Sequence, residues 1–253
     1  MLSNLAFFGA TGGSAGSCLA AALKAGHTCK ALARTPSKLE NAMTEKGVSG
    51  LTLTSNLLIV LGDVRDLDAV KQTIAGAEFI LSGVGAYPKF QMSLRMPFVL
   101  KDRTICADTS AIILKACQET SNRGKKPILL IISTAGVQAK GKPRAIPFVY
   151  LSFYYWLLAD PHNDKEVMEE NVREHMMLPE SGQGIDSYVM VKPSILMDGK
   201  GKGVEAVRAG TEDHPPVGYM IDRTMVGEWI FQRLIKEGGA KGQWKDRSVT
   251  ITY

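Results

Sequence analysis

The start of the chain constrains it most. An apolar run, Leu5 to Phe8, leads directly into Gly9-Ala-Thr-Gly12-Gly13-Ser14-Ala15-Gly16, and a helical pattern follows. Aligned on Gly9, Gly12 and Ala15, this reads G-x-x-G-x-x-A between a strand and a helix. The first glycine permits a tight turn, the second lets the backbone approach a pyrophosphate, and the small third residue lets helix and strand pack closely. Backbone N–H groups from Thr11 to Ala15 then face an anion at a helix N-terminus, where the helix dipole favours negative charge. The expected ligand is a dinucleotide held by Gly9, Thr11, Gly12, Gly13, Ser14 and Ala15.

The rest of the chain repeats the alternation that this turn begins. Short apolar runs predict strands at Leu5–Phe8, Thr28–Ala33, Leu57–Leu61, Phe79–Ser82, Ile128–Ser133 and Ser187–Val191, with a last strand at Ser248–Thr252. Helical patterns lie between them at Ala15–Ala25, Pro36–Lys46, Asp66–Ile74, Thr104–Thr120, Asp164–Met177 and Thr224–Lys236. Strands alternating with helices imply βαβ units and a parallel sheet, so the expected fold is α/β, a doubly wound and mostly parallel sheet. Three segments break the rhythm, 86–102, 138–164 and 196–222, the last a small C-terminal region. They are expected to shape the substrate side, because ligands of such sheets lie beyond the carboxyl ends of the strands.

The end of the second strand selects the nucleotide. A unit that binds NAD usually places a carboxylate there for the ribose 2′-OH. Here the sequence is Ala33-Arg34-Thr35-Pro36-Ser37-Lys38. The guanidinium of Arg34, the hydroxyl of Ser37 and the ammonium of Lys38 suit a 2′-phosphate, so NADP(H) is the expected cofactor.

Composition narrows the partners. With 253 residues, 45% hydrophobic and 22% charged, the chain buries a full core unaided and is expected to be one domain over 1–253. Cys18, Cys29, Cys106 and Cys117 show neither a C-x-x-C pair nor zinc spacing, and no two histidines are spaced as ligands, so no metal is expected. Reduced cysteines and the lack of a basic n-region imply a cytoplasmic protein. No run approaches the roughly 20 apolar residues of a membrane span; Phe148 to Ala159 is apolar and aromatic but too short. The net charge of +5 comes from dispersed Lys and Arg, which argues against a nucleic-acid partner. The expected partner is a small-molecule substrate, bound by a monomer or homodimer.

The segments GATGGSAG (9–16), LARTPSKL (32–39), GDVRD (62–66), SGVGA (82–86), IISTAGV (131–137), DKEVMEENVRE (164–174) and YVMVKPSILMDG (188–199) occur in an order that resembles the atypical short-chain dehydrogenase/reductases. Within that Rossmann-fold group the likeness is to the NmrA-like and biliverdin-reductase-B-like branch. The resemblance implies that Asp63 and Val64 lie near the adenine and that Gly83, Val84 and Gly85 run beside the ribose. It also implies that Ser133 occupies the position of the active-site serine.

The departure from that pattern concerns the proton donor. Typical members carry Tyr-x-x-x-Lys on the helix after the fifth strand, the lysine lowering the tyrosine pKa. In that register stand Pro161 and Lys165, and a proline supplies no proton. The Y-x-x-x-K formed by Tyr188 and Lys192 precedes Pro193 in the sixth predicted strand, and the resemblance implies that Lys192 and Pro193 pass the nicotinamide. Lys165 is expected on the nicotinamide ribose. Ser133 and His162 are the candidates for polarising or protonating substrate oxygen, with Tyr150, Tyr154, Tyr155 and His214 as further candidates. The leading expectation is an NADPH-dependent oxidoreductase acting on a small apolar, aromatic or quinone-like carbonyl compound, as in secondary metabolism. The alternatives are a non-catalytic NADP(H)-sensing regulator and a non-redox isomerase or cyclase.

Overall fold

The computed structural model describes residues 2–86, 88–90, 98–120, 125–138, 141–143, 145 and 151–253, with the backbone alone for 88–90, 98–100 and 151–162. The chain opens with β1 (Asn4–Phe8), α1 (Gly13–Lys24), β2 (Thr28–Ala33), α2 (Pro36–Glu45), α3 (Gly50–Asn56), β3 (Leu57–Leu61), α4 (Leu67–Ile74) and β4 (Phe79–Ser82). After β5 (Pro88–Phe90) and β6 (Phe98–Leu100) come α5 (Ile105–Thr120), β7 (Ile128–Ile132), α6 (Leu151–Met177) and β8 (Ser187–Pro193). It closes with β9 (Ile195–Met197), β10 (Arg208–Thr211), β11 (Met220–Asp222), α7 (Arg223–Trp229) and β12 (Arg247–Thr252).

Eight strands form one sheet in the order β10-β12-β8-β7-β4-β1-β2-β3. Every neighbouring pair is parallel except β10 with β12. Strand order reverses between β1 and β4, which opens a crevice at their carboxyl ends. The fold is therefore the doubly wound α/β sheet that the alternating pattern predicts. Apolar layers cover both faces. Leu5, Phe7, Leu19, Leu130 and Val226 belong to the layer under α1 and α7, and Ala6, Phe8, Ile113, Leu129 and Met190 to the opposite one. Central strands buried on both faces need continuous apolar runs, which explains why Ile128–Ile132 carries no polar residue.

Several elements differ from the sequence expectation. The helix α3 begins at Ser49, whose side chain accepts the Thr52 N–H at 3.1 Å; its Leu-Thr-Leu-Thr alternation conceals it. α6 starts at Leu151 instead of Asp164 and runs through Pro161. A proline removes one backbone hydrogen bond of a helix without obliging it to end. The C-terminal helix is α-helical only to Trp229 and widens into a π-helical stretch over Ile230–Lys236. The region 196–222 holds β10 and β11, short strands with few apolar residues and no distinct pattern. Residues 87 and 91–97 of the segment 86–102, and residues 139, 140, 144 and 146–150 of the segment 138–164, lie outside the described residues. Among the described residues no helix is long and apolar enough to cross a membrane.

Candidate functional site

The glycine turn is shaped by close backbone approach. Gly9 has φ +75°, and a Cβ there would stand 2.8 Å from the carbonyl carbon and oxygen of Gly83. A Cβ at Gly83 would in turn lie 2.6 Å from Cβ of Ala15. The turn after β1, the end of β4 and the first turn of α1 thus fit together only without side chains at these positions. Gly12 N–H donates to Gly9 O at 3.0 Å, and Gly16 N–H donates to Gly12 O at 3.0 Å. The amides of Gly13, Ser14 and Ala15 precede the first intrahelical bond and need an outside acceptor.

Two features of the turn bear on an anion. A Cβ on Gly12 would meet only Gly9 O, at 3.2 Å, whereas one on Gly13 would meet the Arg223 side chain at 2.7 Å. Ser14 Oγ is buried and has no hydrogen-bond partner among the described residues. A phosphate oxygen satisfies both a buried hydroxyl and free helix amides.

Further along the crevice, Arg34, Ser37 and Lys38 are exposed at the end of β2 and the start of α2. Neither cation has a carboxylate within ion-pairing distance among the described residues, although the Arg34 charge reaches Asp102. Arg65, by contrast, is engaged with Asp102 at 2.7 Å and Asp108 at 2.6 Å, tying the turn after β3 to the start of α5. Its hydrogen bond and, less strongly, the Arg34 charge hold the Asp102 carboxyl below its ordinary range. Asp63 and Val64 are half-buried in the same turn, where Asp63 Oδ1 accepts the Arg65 N–H at 3.0 Å.

Gly83, Val84 and Gly85 leave β4 beside the glycine turn, and Gly83 N–H donates to Phe8 O at 3.0 Å. Lys165 reaches the same place from α6, its ammonium donating to Ile132 O at 2.6 Å and to Val84 O at 3.3 Å. It therefore bridges the carboxyl ends of β4 and β7. The residue before it, Asp164, is buried and accepts the amides of Cys106 and Ala107 at 3.0 and 2.9 Å. That contact caps α5 and fixes α6 against it.

Ser133 follows β7 and is 4% exposed. Its hydroxyl donates to Glu169 Oε1 at 2.5 Å. Glu169 is fully buried, and its other oxygen meets Lys192 at 3.0 Å and Arg173 at 2.8 Å. Lys192 is also buried and pairs with Glu212 at 2.8 Å. Burial works to raise the Glu212 carboxyl pKa, but the charge and hydrogen bond of Lys192 and the charge of Arg173 outweigh it, leaving the group below its ordinary value.

The structure thus gathers Gly9 to Ala15, Gly83 to Gly85, Ser133 and Lys165 at the carboxyl edge of the sheet. Lys192 and Pro193 lie in β8, so the Tyr188–Lys192 pair has strand and not helix geometry. The Lys192 ammonium is engaged by two carboxylates. His162 lies in α6 with its side chain outside the described residues, as are those of Tyr154 and Tyr155, while Tyr150 is wholly outside them. His214 is exposed in the turn after β10, and His27 and His175 are buried in the fold, the first accepting Ser3 N–H at 3.0 Å and the second Gly184 N–H at 2.8 Å. The cysteines are free and buried; burial pushes the Cys106 thiol up to about 11 and that of Cys117 to about 12. No group of three or more metal-ligating side chains occurs among the described residues.

Glu169, Arg173 and Glu212 escaped the sequence reading. A signal was present in the spacing Lys165, Glu169, Arg173, which puts three charges on one face of α6 at i, i+4 intervals. In so charged a helix it resembles an ordinary solvated face.

A family model for NAD(P)H-binding proteins matches residues 9–237 of this chain. A protein named Reductase pytE from Aspergillus terreus is 42% identical, with 98% of this chain and 97% of that one aligned. Oxidase pynE from Aspergillus niger is 34% identical, with 98% of each aligned. Among solved structures, a short-chain dehydrogenase/reductase from Veillonella parvula in complex with NADP superposes with a TM-score of 0.69 over 100% of this chain and 95% of that one, at 14% identity. A Rossmann-fold NAD(P)-binding family protein from Shigella flexneri gives 0.62 over 100% and 94%, at 15% identity. Likeness at this level of identity concerns the fold alone.

Proposed function

The chain belongs to the NAD(P)H-binding family, and we propose that within it the protein is an NADPH-dependent oxidoreductase of a small apolar, aromatic or quinone-like carbonyl compound. The observation that carries this reading is the pairing of an anion cradle with an unmatched cationic end. Free amides and the Ser14 hydroxyl suit the pyrophosphate, while Arg34, Ser37 and Lys38 offer a 2′-phosphate two charges with no carboxylate in ion-pairing distance among the described residues. The names of the two Aspergillus relatives, a reductase and an oxidase, accord with hydride transfer in either direction.

Bound NADPH supplies the hydride. The protein's own groups then hold and polarise. Lys165 uses two of its three N–H donors on Ile132 and Val84, which fixes its ammonium where a third donor can meet the nicotinamide ribose. Ser133 presents its Oγ to the substrate oxygen, and His162, on α6, is a second residue proposed for that role. Asp63, Val64 and Gly83 to Gly85 line the adenosine and ribose path, and Pro193, the last residue of β8, stands at the nicotinamide end.

A second reading has an observation of its own. Pro161 stands where a helix-borne tyrosine would donate, which favours an NADP(H) sensor that binds without turnover. One experiment separates the two. The protein is mixed with NADPH and a panel of quinones, aromatic ketones and aldehydes, and with NADP⁺ and the matching alcohols. Nucleotide oxidation or reduction above that of Ser133→Ala supports the oxidoreductase. Tight nucleotide binding with no turnover in either direction overturns it in favour of the sensor.

A further inference from the structure

The chain that leads inward from Ser133 consists entirely of groups that exchange protons. Ser133 Oγ meets Glu169 Oε1 at 2.5 Å, Glu169 Oε2 meets Lys192 Nζ at 3.0 Å, and Lys192 Nζ meets Glu212 Oε1 at 2.8 Å. The first three are buried, with Ser133 at 4% and Glu169 at 0% exposure, whereas the Glu212 side chain is 23% exposed. Lys192 and Glu212 also line a small cavity with Pro143, Pro215 and Thr250, on the side where the segment around residue 138 emerges. One end of the chain therefore lies at the nucleotide crevice and the other at solvent.

We propose that Glu169 relays the proton for the reaction at Ser133, and that Lys192 and Glu212 connect it to solvent, replacing the donor that Pro161 removes. This rests on the oxidoreductase reading of the same site. A buried carboxylate with two cationic partners and a serine is expensive to bury if it serves packing alone, since apolar residues of like volume are often as stable or more so. Its place, one hydrogen bond from the hydroxyl that would meet the substrate oxygen, gives it a use that packing does not.

The proton balance is complete. In reduction, both electrons arrive with the hydride, the carbonyl π pair moves onto oxygen, and that oxygen takes the Ser133 hydroxyl proton. Glu169, a carboxylate in the observed cluster, takes a proton from Lys192 on Oε2, a half-turn of the carboxyl brings that proton to Ser133, and Ser133 Oγ takes it, leaving Glu169 a carboxylate again; Lys192 recovers its proton from solvent through Glu212. In oxidation each transfer reverses, and the observed hydrogen bond, with Ser133 donating to Glu169, is the starting arrangement. Among the described residues, the charged and titratable groups that face Glu169 are Arg173 on its own helix and Lys192 and Tyr188 from β8, with Glu212 after β10 beyond Lys192 and Arg173, and the Ser133 hydroxyl meets its other oxygen.

Glu169 and Lys192 are positioning residues, acting through Ser133, and their test must move something that a structural role would not. For reduction of menadione and acetophenone, Glu169→Gln lowers kcat by about 100-fold or more. NADPH affinity, read by fluorescence, and KM stay unchanged, and the dependence of kcat on pH departs from that of the wild type. Ser133→Ala causes the same loss, and the double variant is no worse than either, because the two residues act as one unit. Ser133→Ala keeps all four charges, so it remains informative if Glu169→Gln fails to fold. A folded Glu169→Gln enzyme with wild-type kcat and pH profile, or losses that multiply, overturns the proposal.

A readout without substrate separates this from failure of the oxidoreductase reading. With ¹³C-labelled glutamate and bound NADP⁺, infrared difference spectra compare the wild type with Ser133→Ala. A glutamate carboxylate band that loss of the Ser133 hydroxyl displaces, and that is missing from Glu169→Gln, supports the relay even if the panel shows no turnover. A spectrum in which Ser133→Ala displaces no glutamate band overturns it even in an active enzyme.

Discussion

Around Gly9 the fit depends on side chains that are missing, and around Ser133 it depends on charged side chains buried together. In the first region three backbone segments approach so closely that a Cβ would stand 2.8 Å from the Gly83 carbonyl. In the second, Glu169, Lys192, Arg173 and Glu212 come from α6, β8 and the turn after β10 to form a neutral cluster of two carboxylates and two cations. A backbone cradle serves any pyrophosphate and says little about what reacts beside it. A buried cluster is particular to one chain, so differences in chemistry among related proteins are more to be sought there.

Removing one charge breaks the second region most severely. Lys192→Ala leaves Glu169 buried with Arg173 as its remaining cation and leaves Glu212 beside it, a loss of about 3–5 kcal/mol by the usual consequence of stranding a buried charge. Denaturant unfolding followed by circular dichroism measures it. Replacing both Glu169 and Lys192 by Met restores much of that stability, because the apolar pair needs no partners. A double variant as unstable as the single one means that the surrounding fold, and not the ion pair, sets the loss.

The first region breaks through geometry instead. Gly9→Ala forces a Cβ into a residue at φ +75° and against the end of β4. The left-handed conformation alone costs about 1–2 kcal/mol, and the contact adds to it, so the expected loss is roughly 2–3 kcal/mol together with most nucleotide affinity. Thermal unfolding with and without NADPH gives both quantities. If affinity survives while stability falls, the turn shapes the fold without shaping the phosphate cradle.

This contrast also explains what the sequence made legible. β2 and β3 match their predicted bounds, Thr28–Ala33 and Leu57–Leu61, because each is a short apolar run with breaks in pattern at its ends; β2 lies between two parallel neighbours, whereas β3 keeps its apolar run at the edge of the sheet. The glycine turn is equally local, its spacing being its function. Glu169 and Glu212 carry no such mark. Whether a glutamate on a charged helix is solvated or buried is decided by strands that reach it from distant parts of the chain, and no local pattern records that. β10 was missed for a related reason: it pairs antiparallel at the sheet edge, where one side faces solvent and the apolar run is not required. The start of α6 was hidden by Pro161, which reads as a boundary in sequence and is carried inside the helix.

The smallest expected effect tests the end of the crevice where both kinds of region are absent. Arg34 is exposed, at the end of β2, with neither a backbone cradle nor a buried partner to hold it. Its charge already reaches Asp102, which Arg65 holds more strongly, so part of its field is spent within the protein. Arg34→Ala is therefore expected to weaken NADPH by about tenfold, the lower range for a charge-assisted hydrogen bond, and to leave NADH nearly unchanged. Titration of both nucleotides by fluorescence measures the ratio, and raising salt shrinks the wild-type preference because the site is solvent-exposed. An unchanged ratio would move the 2′-phosphate away from Arg34, leaving Lys38 and Ser37 to carry the preference. Equal weakening of both nucleotides would instead place Arg34 on a group that they share.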